Sequence, residues 1–340
     1  MESKKRVDWI DFVKGIAILC VVWKHIKVET DCFGKVICAF HMPIFFILSG
    51  ILLFMKNDIK NTGTKRFLLK KAASLLWPYL IFSLLSLAVL VVRHRFEFEQ
   101  LIETCLLSGY SALWFLPCLF FSECICYFVL KKNHTSIFVI AIVGLLCISI
   151  YGQKVAPLIG IESGYVWIIF NSIIRTCTSS IFILIGYFGY EYLSSKHGNE
   201  SKKAILIGVV LILGGIVFAL LNMKSEEVSM RENILNNPIL FYLSANMISW
   251  GIIISAKGSQ IRKNVIHFFG KNSLIILVTH LPMSIVPIIK WKLPQFTGKY
   301  WINCLAVFII IMIIESVFVY VINRWLKWLI KFPLKKECVK

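Results

Sequence analysis

Two ionisable side chains in the first hydrophobic segment of the chain are spaced so that they can act together. Lys14 and His25 are separated by eleven positions, which is about three helical turns and roughly 16 Å along the axis, so both lie on one helical face. Asp11 precedes Lys14 by three residues and is close enough to pair with it. Because imidazole titrates near neutral pH, His25 can act as a general base or as a nucleophile.

Four further ionisable side chains lie inside apolar segments, where they are unexpected. They are His41, Glu123, Arg175 and His280. An ionisable group at the middle of a bilayer costs about 2.5–3.5 kcal/mol on insertion scales, so such groups face a protein interior or a water-filled cavity. We expect these groups to converge with His25 in one water-accessible channel, with His41 at about the same depth as His25.

Each of these residues also has a purely structural interpretation. His41 or His280, taken singly, can be an interfacial or hydrogen-bonded residue. Glu123 and Arg175 can simply pair with each other or with polar backbone. Trp114 can belong to the interfacial aromatic belt. The number of costly groups favours function over packing for the set as a whole.

A basic cluster precedes the third hydrophobic segment. Arg66, Lys70 and Lys71 lie on a predicted helix at the membrane interface. Basic residues in this position act first as topology determinants. They also provide positive charge that can bind phosphate groups.

The composition is typical of an integral membrane protein. Of 340 residues, 58% are hydrophobic and 16% are charged, which is more apolar surface than a water-soluble domain can bury. The net charge of +19 would suit nucleic acid, but the basic residues lie in short loops between apolar segments, where they mark topology and contact anionic headgroups. A lipid bilayer is therefore the expected partner, and nucleic acid is not. The cysteines show no metal-ligand spacing, so no metal site is expected.

Ten membrane-spanning helices are predicted from apolar segments bounded by charge, proline or polar clusters. Lys and Arg are concentrated in the loops on the side of the two termini, so both termini are predicted to be cytoplasmic. The predicted fold class is an all-α polytopic transmembrane bundle, N-in/C-in, with residues 1–340 as a single membrane-embedded domain. No pair of Gly- or Pro-broken helices, as in inverted-repeat transporters, is evident. The predicted spans are near 9–27, 36–55, 72–92, 113–130, 135–151, 165–192, 204–222, 238–256, 267–289 and 301–324.

Four motifs over nearly the whole chain resemble those of the acyltransferase-3 family of bacterial membrane proteins, in particular its fucose-4-O-acetylase-like branch. They are Lys14 followed after ten intervening positions by His25, the segment from Phe40-His41-Met42-Pro43 to Ser49-Gly50, Trp114-Phe115-Leu116, and Gly270-Lys271-Asn272-Ser273-Leu274 leading to His280. Ten spans are usual in that family. Two positions depart from its pattern. Lys14 replaces an arginine and so loses the guanidinium fork, and Lys71-Ala72-Ala73-Ser74 replaces an Arg-x-x-Arg pair, unless Lys70 or Arg66 substitutes.

The resemblance implies an enzyme of the bacterial plasma membrane that moves an acyl group, usually acetyl from acetyl-CoA, to a hydroxyl of a cell-surface or lipid-linked carbohydrate. It implies that His25 is catalytic and that the basic residue before it, Lys14, is essential. Whether His25 acts as general base or as transient acyl carrier stays open.

Acyl transfer needs a base, donors for the developing oxyanion and an anchor for the anionic donor. Glu123 is expected to orient an imidazole, with His280 completing the catalytic set. The expected donor-binding residues are Lys14, Asp11, Lys70, Lys71 and Arg66, and the expected acceptor or oxyanion residues are His41, Trp114 and Arg175. The alternative function is a transporter or flippase for a polysaccharide or lipid-linked sugar, because intramembrane charges also mark substrate paths.

Overall fold

The computed structural model describes residues 7–26, 32–132, 135–195, 201–223, 227–259, 264–292 and 300–332. Within these residues the regular secondary structure is helical, apart from one isolated β-bridge between Ser229 and Ile234. The predicted all-α class is confirmed. The helices are α1 (Asp8–Ile26), α2 (Cys32–Phe40), α3 (Pro43–Lys56), α4 (Asp58–Asn61), α5 (Thr64–Lys71), α6 (Trp77–Val92), α7 (Phe98–Cys105), α8 (Phe115–Lys131), α9 (Thr135–Leu158), α10 (Gly164–Ser195), α11 (Ser201–Leu221), α12 (Pro238–Gly258), α13 (Val265–Lys271), α14 (Ser273–Thr279), α15 (Ile285–Lys292) and α16 (Tyr300–Arg324). A π-helical turn, Ala72–Leu76, joins α5 to α6, and 3-10 turns lie at Ser111–Trp114 and Lys327–Leu329.

Eight helical stretches of the described chain are long and apolar enough to cross a membrane. Two of the ten predicted spans are not among them. The first, α1, carries four charged residues in its 19-residue length, and the ninth is divided into α13, α14 and α15. These two segments carry His25 and His280, so the departures from a simple hydrophobic span coincide with the candidate chemistry. The count of ten and the N-in/C-in orientation stay predictions.

The central helix of the bundle is α1, which contacts α2, α3 and each helix from α12 to α16. Small residues bring it close to α13. A Cβ atom on Gly15 would overlap the carbonyl group of Ile266, and one on Gly270 would overlap the carbonyl group of Asp11. Such contacts between glycine surfaces allow helix backbones to approach closely in a membrane. The depth of His25 is therefore fixed by a tight contact near the other end of its helix.

A second close contact fixes α3 against α10. A Cβ atom on Gly50 would overlap the carbonyl group of Ile183, and one on Gly186 would overlap that of Ile47. Among the eight candidate spans, the one formed by α2 and α3 has the largest share of buried residues, and the spans formed by α9 and α11 have the smallest. The core of the bundle thus lies around α1 and α3, and α9 and α11 are peripheral.

Two of the predicted spans are interrupted, between α2 and α3 and between α14 and α15. Proline disfavours helical geometry in the residue before it, and Pro43 begins α3 while Pro282 lies inside the second break. Interrupted backbone at membrane depth is tolerated where it lines a cavity. The two breaks hold His41 and His280.

Candidate active site

His25 lies in the last turn of α1, beside the break between α14 and α15. Its ring and the ring of His280 have centroids 5.3 Å apart, with their planes inclined at 42°. His280 is fully buried, whereas His25 is partly exposed and lines a cavity. Two imidazoles from distant parts of the chain therefore form one pair.

Backbone carbonyl groups fix the proton position on two of the histidines. Nδ1 of His280 lies 2.6 Å from the carbonyl oxygen of Ile276, and Nδ1 of His41 lies 2.8 Å from that of Ile37. Because a carbonyl oxygen can only accept, each Nδ1 donates, and Nε2 of the neutral ring carries a lone pair. In the described part of the chain, Nε2 of His280 is buried and has no hydrogen-bond partner. His280 therefore holds an unoccupied basic nitrogen in the ring that neighbours His25.

His25 lines a cavity of about 190 Å³, which we call the imidazole cavity. Its walls are formed by α1, the break between α2 and α3, the 3-10 turn before α8, the break after α14 and residues 227–231. Trp114, Met230 and Leu277 supply apolar surface. Lys24, next to His25 in sequence, forms an ion pair with Glu227 at the wall. The structure thus brings His25, His41 and Trp114 to one cavity, with His280 behind His25. Its polar lining residues are Lys24, His25, His41, Ser111, Glu227, Ser229 and Arg231.

Arg175 lies beside this cavity and does not line it. Its guanidinium carbon is 5.7 Å from the centre of the Trp114 ring, and its donors reach Ser108, Ser172 and the carbonyl oxygen of Arg231. Arg175 therefore links α10 to the segment before α8 and to the segment before α12. It does not pair with Glu123, but its bond to the carbonyl oxygen of Arg231 agrees with the other structural interpretation, pairing with polar backbone.

Arg231, in the wall of the imidazole cavity, pairs with two carboxylates. Its Nη2 lies 3.5 Å from Oε1 of Glu103, and its Nε lies 3.4 Å from Oε1 of Glu232. Burial raises the pKa of the Glu103 carboxyl, and the charges of Arg231 and Arg175 act in the opposite direction. The wall of the imidazole cavity thus includes an arginine held by a partly buried carboxyl group.

A second cavity of about 190 Å³, which we call the lysine cavity, lies on the other side of Leu277, the one residue that lines both. Its polar lining residues are Lys14, Ser49, Glu123 and Ser273. Oε1 of Glu123 accepts from Nζ of Lys71 at 2.7 Å and also from the Ser49 hydroxyl. Glu123 therefore positions a lysine, and the structure places it away from the imidazoles that it was expected to orient.

Three other donor-binding candidates line neither of the two cavities. Lys70 is half-exposed and pairs with Asp58 at 3.3 Å, and Arg66 is exposed on α5. Asp11 is buried where α1 meets α13. The five costly groups thus do not share one channel. The imidazoles lie together. Glu123 is separated from them by Leu277, and Arg175 is separated from them by Trp114.

Sequence reasoning missed Glu315 on α16. Its side chain is fully buried, and its Oε2 accepts from the Thr279 hydroxyl at 2.6 Å, one residue before His280. The signal was present, because a carboxylate within an apolar segment is as costly as Glu123. Arg231 was also missed as a cavity residue, because its loop carries no motif. Within the described ranges, no group of three His, Cys, Asp or Glu side chains is arranged to hold a metal ion.

Comparison with known proteins identifies the class of this bundle. The family model described as an acyltransferase domain, that of the acyltransferase-3 family, matches residues 7–322 of 340. The match includes both cavities and all of the candidate site residues. The chain therefore belongs to this family and is a multi-pass membrane protein of an acyl-transferring class. The match is to the family as a whole, and the fucose-4-O-acetylase-like branch stays a prediction. Neither the search of curated proteins nor the search of solved structures gives a match.

Proposed function

We propose that this protein is an integral membrane O-acyltransferase that moves an acyl group, acetyl by preference, from acyl-CoA to a hydroxyl of a cell-surface or lipid-linked carbohydrate. The observation that carries the proposal is the pairing of His25 with His280, 5.3 Å apart at the edge of the imidazole cavity. Family membership supports acyl transfer in general. Localisation in a bacterial plasma membrane is part of the proposal.

In the direct route His25 is the general base. It takes the proton of the acceptor hydroxyl while that oxygen attacks the thioester carbonyl carbon. The tetrahedral intermediate then collapses with cleavage of the C–S bond, and the leaving CoA sulfur takes the proton from the imidazolium. His280 supports this route because its Nε2 can accept a hydrogen bond from the ring or from a hydroxyl between the two rings.

In the carrier route a ring nitrogen of His25 attacks the thioester carbonyl carbon, the C–S bond breaks, and the leaving CoA sulfur takes the proton of the other ring nitrogen, so that a neutral acyl-imidazole remains. The acceptor hydroxyl then attacks this acyl-imidazole and loses its proton to a second base, which returns the proton to the His25 ring as the C–N bond breaks. Nε2 of His280 is suited to that task because its lone pair is unoccupied. The pair of imidazoles thus serves either route.

Two further sets of residues fit the reaction. Negative charge that develops on the carbonyl oxygen needs donors, and Arg231, Lys24 and Ser111 lie in the cavity wall with His25. The anionic part of CoA needs cations. Lys14 lines the lysine cavity, and Lys71 bonds to Glu123 in its wall. Since the two cavities meet at Leu277, an extended thioester anchored at one cavity can deliver its acyl group to the other.

The test is acetyl transfer by purified protein in lipid nanodiscs supplied with acetyl-CoA labelled in the acetyl carbon. We expect CoA thiol release in step with label on a carbohydrate acceptor extracted from the host membrane. A rapid quench before acceptor is added separates the routes, because the carrier route leaves hydroxylamine-sensitive label on the protein. The same quench with His25→Asn must leave no such label.

The transporter alternative gains one observation, the two interrupted helices, because such breaks form substrate sites in transporters. It predicts movement of a sugar across a vesicle membrane without consumption of acetyl-CoA. Sugar movement without thioester cleavage would overturn the acyltransferase proposal for this chain.

A further inference from the structure

A groove between α8 and α10 opens toward the lipid-facing side of the bundle. Its volume is about 300 Å³ and its walls are largely apolar. Three wall residues, Phe121, Ile169 and Ile173, are exposed by 40%, 45% and 47%. On helices that cross a bilayer, such exposure is to hydrocarbon, so the groove is accessible to a lipid chain from the side.

A buried cation without an ion pair in the described structure lies in this apolar groove, and the carboxylates of Glu103 and Glu232 act on it only at longer range. Arg175 is 3% exposed, and in the described structure it makes no ion pair. Its Nη2 donates to Ser108 and, at 2.7 Å, to Ser172, and its Nη1 donates to the carbonyl oxygen of Arg231 at 3.4 Å. A guanidinium has five N–H donors, so two of them have no acceptor among the described residues. A buried cation is costly unless it is paired, and an anion in the groove would supply the missing partner.

Trp114 connects this groove to the imidazole cavity. Its side chain lines both spaces, and its ring lies 5.7 Å from the Arg175 guanidinium carbon. A ligand whose anionic group contacts Arg175 therefore has its tail among the apolar walls and its head at the edge of the cavity that holds His25.

We propose that the groove binds the apolar chain and the phosphate of a lipid-linked sugar, with the phosphate at Arg175 and the sugar directed past Trp114. The inference rests on the proposed function and narrows its acceptor to a carbohydrate carried on a single-chain lipid phosphate. Arginine binds phosphate with charge-assisted hydrogen bonds. The volume is at the low end of the range for ligand sites, about 300–1,000 Å³, which suits one chain rather than the two of a phospholipid.

The test is equilibrium binding of radiolabelled farnesyl phosphate to the full-length protein in detergent. Farnesol, inorganic phosphate and dioleoyl phosphatidic acid serve as competitors. Farnesyl phosphate is expected to bind saturably, and each competitor is expected to require at least a tenfold higher concentration. Equal competition by farnesol would overturn the role of the phosphate, and equal competition by phosphatidic acid would overturn the single-chain assignment.

Two variants place the binding in the groove. Ile173→Trp fills the groove from its open side, and the matched control Ile140→Trp makes the same change on α9, where the side chain is 71% exposed and lines no part of the groove. Farnesyl phosphate affinity is expected to fall at least tenfold in Ile173→Trp and to stay within twofold in the control. Undiminished binding in Ile173→Trp overturns the proposal. Arg175→Gln is expected to lose the preference for farnesyl phosphate over farnesol.

His25→Asn separates this inference from the proposed function. The variant is expected to bind farnesyl phosphate like the wild type while losing acetyl transfer. Transfer that depends on His25, together with no binding of farnesyl phosphate, overturns the groove assignment alone. Groove-specific binding in a protein that transfers no acetyl group overturns the proposed function and leaves the lipid phosphate site standing.

Discussion

Lys14 and His25 lie on one helix but line two different cavities, which meet at Leu277. The eleven-residue spacing separates them by roughly 16 Å along the axis of α1. In our proposal this separation divides the work, with donor anchoring at one cavity and acyl transfer at the other. Substitutions at the two positions should therefore change different kinetic constants.

Lys14→Met is expected to raise the KM for acetyl-CoA about tenfold or more, while kcat changes by less than threefold. The reason is that a charge contact to a remote phosphate contributes equally to ground-state and transition-state binding. The matched control is Lys65→Met, which removes an exposed lysine of α5 and should leave both constants unchanged. A fall in kcat at constant KM in Lys14→Met would contradict the anchoring role.

The Lys71–Glu123 pair is expected to behave as a coupled unit. Lys71→Met leaves a buried carboxylate without its cation and should lower the free energy of unfolding by roughly 3 kcal/mol, the low end for buried pairs because Lys71 keeps 15% of its side chain exposed. Adding Glu123→Gln should recover most of that loss. Unfolding in mixed micelles, measured for both singles and the double variant, tests this coupling. Additive losses would show that the two side chains act independently.

Glu315 is expected to position His280 through Thr279. Glu315→Gln keeps an oxygen acceptor for the Thr279 hydroxyl and should retain near wild-type acetyl transfer. Glu315→Leu removes that acceptor and leaves the Thr279 hydroxyl to the backbone carbonyl oxygen of Ile275, 2.8 Å away, so stability should fall by no more than about 1 kcal/mol, with a clear drop in kcat. Rescue by Gln and not by Leu distinguishes a positioning role from simple packing. Equal activity of the two variants would contradict it.

Close packing of α3 on α10 should make Gly50 intolerant of any side chain. Gly50→Ala places a methyl group against the carbonyl of Ile183 and is expected to destabilise the bundle by roughly 1–3 kcal/mol. Gly144→Ala on α9 is the matched control, because no heavy atom lies within 4 Å of the added Cβ. That change should be neutral or stabilising by up to about 1 kcal/mol. Thermal unfolding followed by circular dichroism compares them, and equal stability would contradict the packing.

Hydrophobic patterning predicted the helices well because a bilayer demands about 20 apolar residues per span. The predicted segment 301–324 corresponds to Tyr300–Arg324, and 238–256 to Pro238–Gly258. The same rule could not predict the division of the ninth span. The residues before the break, up to Thr279, and those after it, from Ile285, are both apolar, so hydropathy does not change at the break. Pro43 and Pro282 were the available signals for the two interruptions.

The sequence predicted the histidines of the candidate site better than it predicted the positions of Glu123 and Arg175. His25 and His41 could be placed at the same depth because helix spacing and direction fix depth, whereas His280 joined the catalytic set without a depth argument. The partners of Glu123 and Arg175 depend on which helices pack together, and helix pairing is not encoded in any local pattern. Both residues therefore ended in sites adjacent to the imidazoles. Glu315 lies in none of the four motifs, so only the cost of a carboxylate inside an apolar segment could have indicated it.

The most direct test of the imidazole pair is the single-turnover rate of acetyl transfer in His25→Asn, His280→Asn and the double variant. His94→Asn serves as control, since it makes the same change at an exposed position. Because the two rings act in one step, each single variant should lose at least about 100-fold in rate, and the double variant should be no slower than the slower single. A rate for His25→Asn within a few-fold of the wild type and of the control would contradict the account.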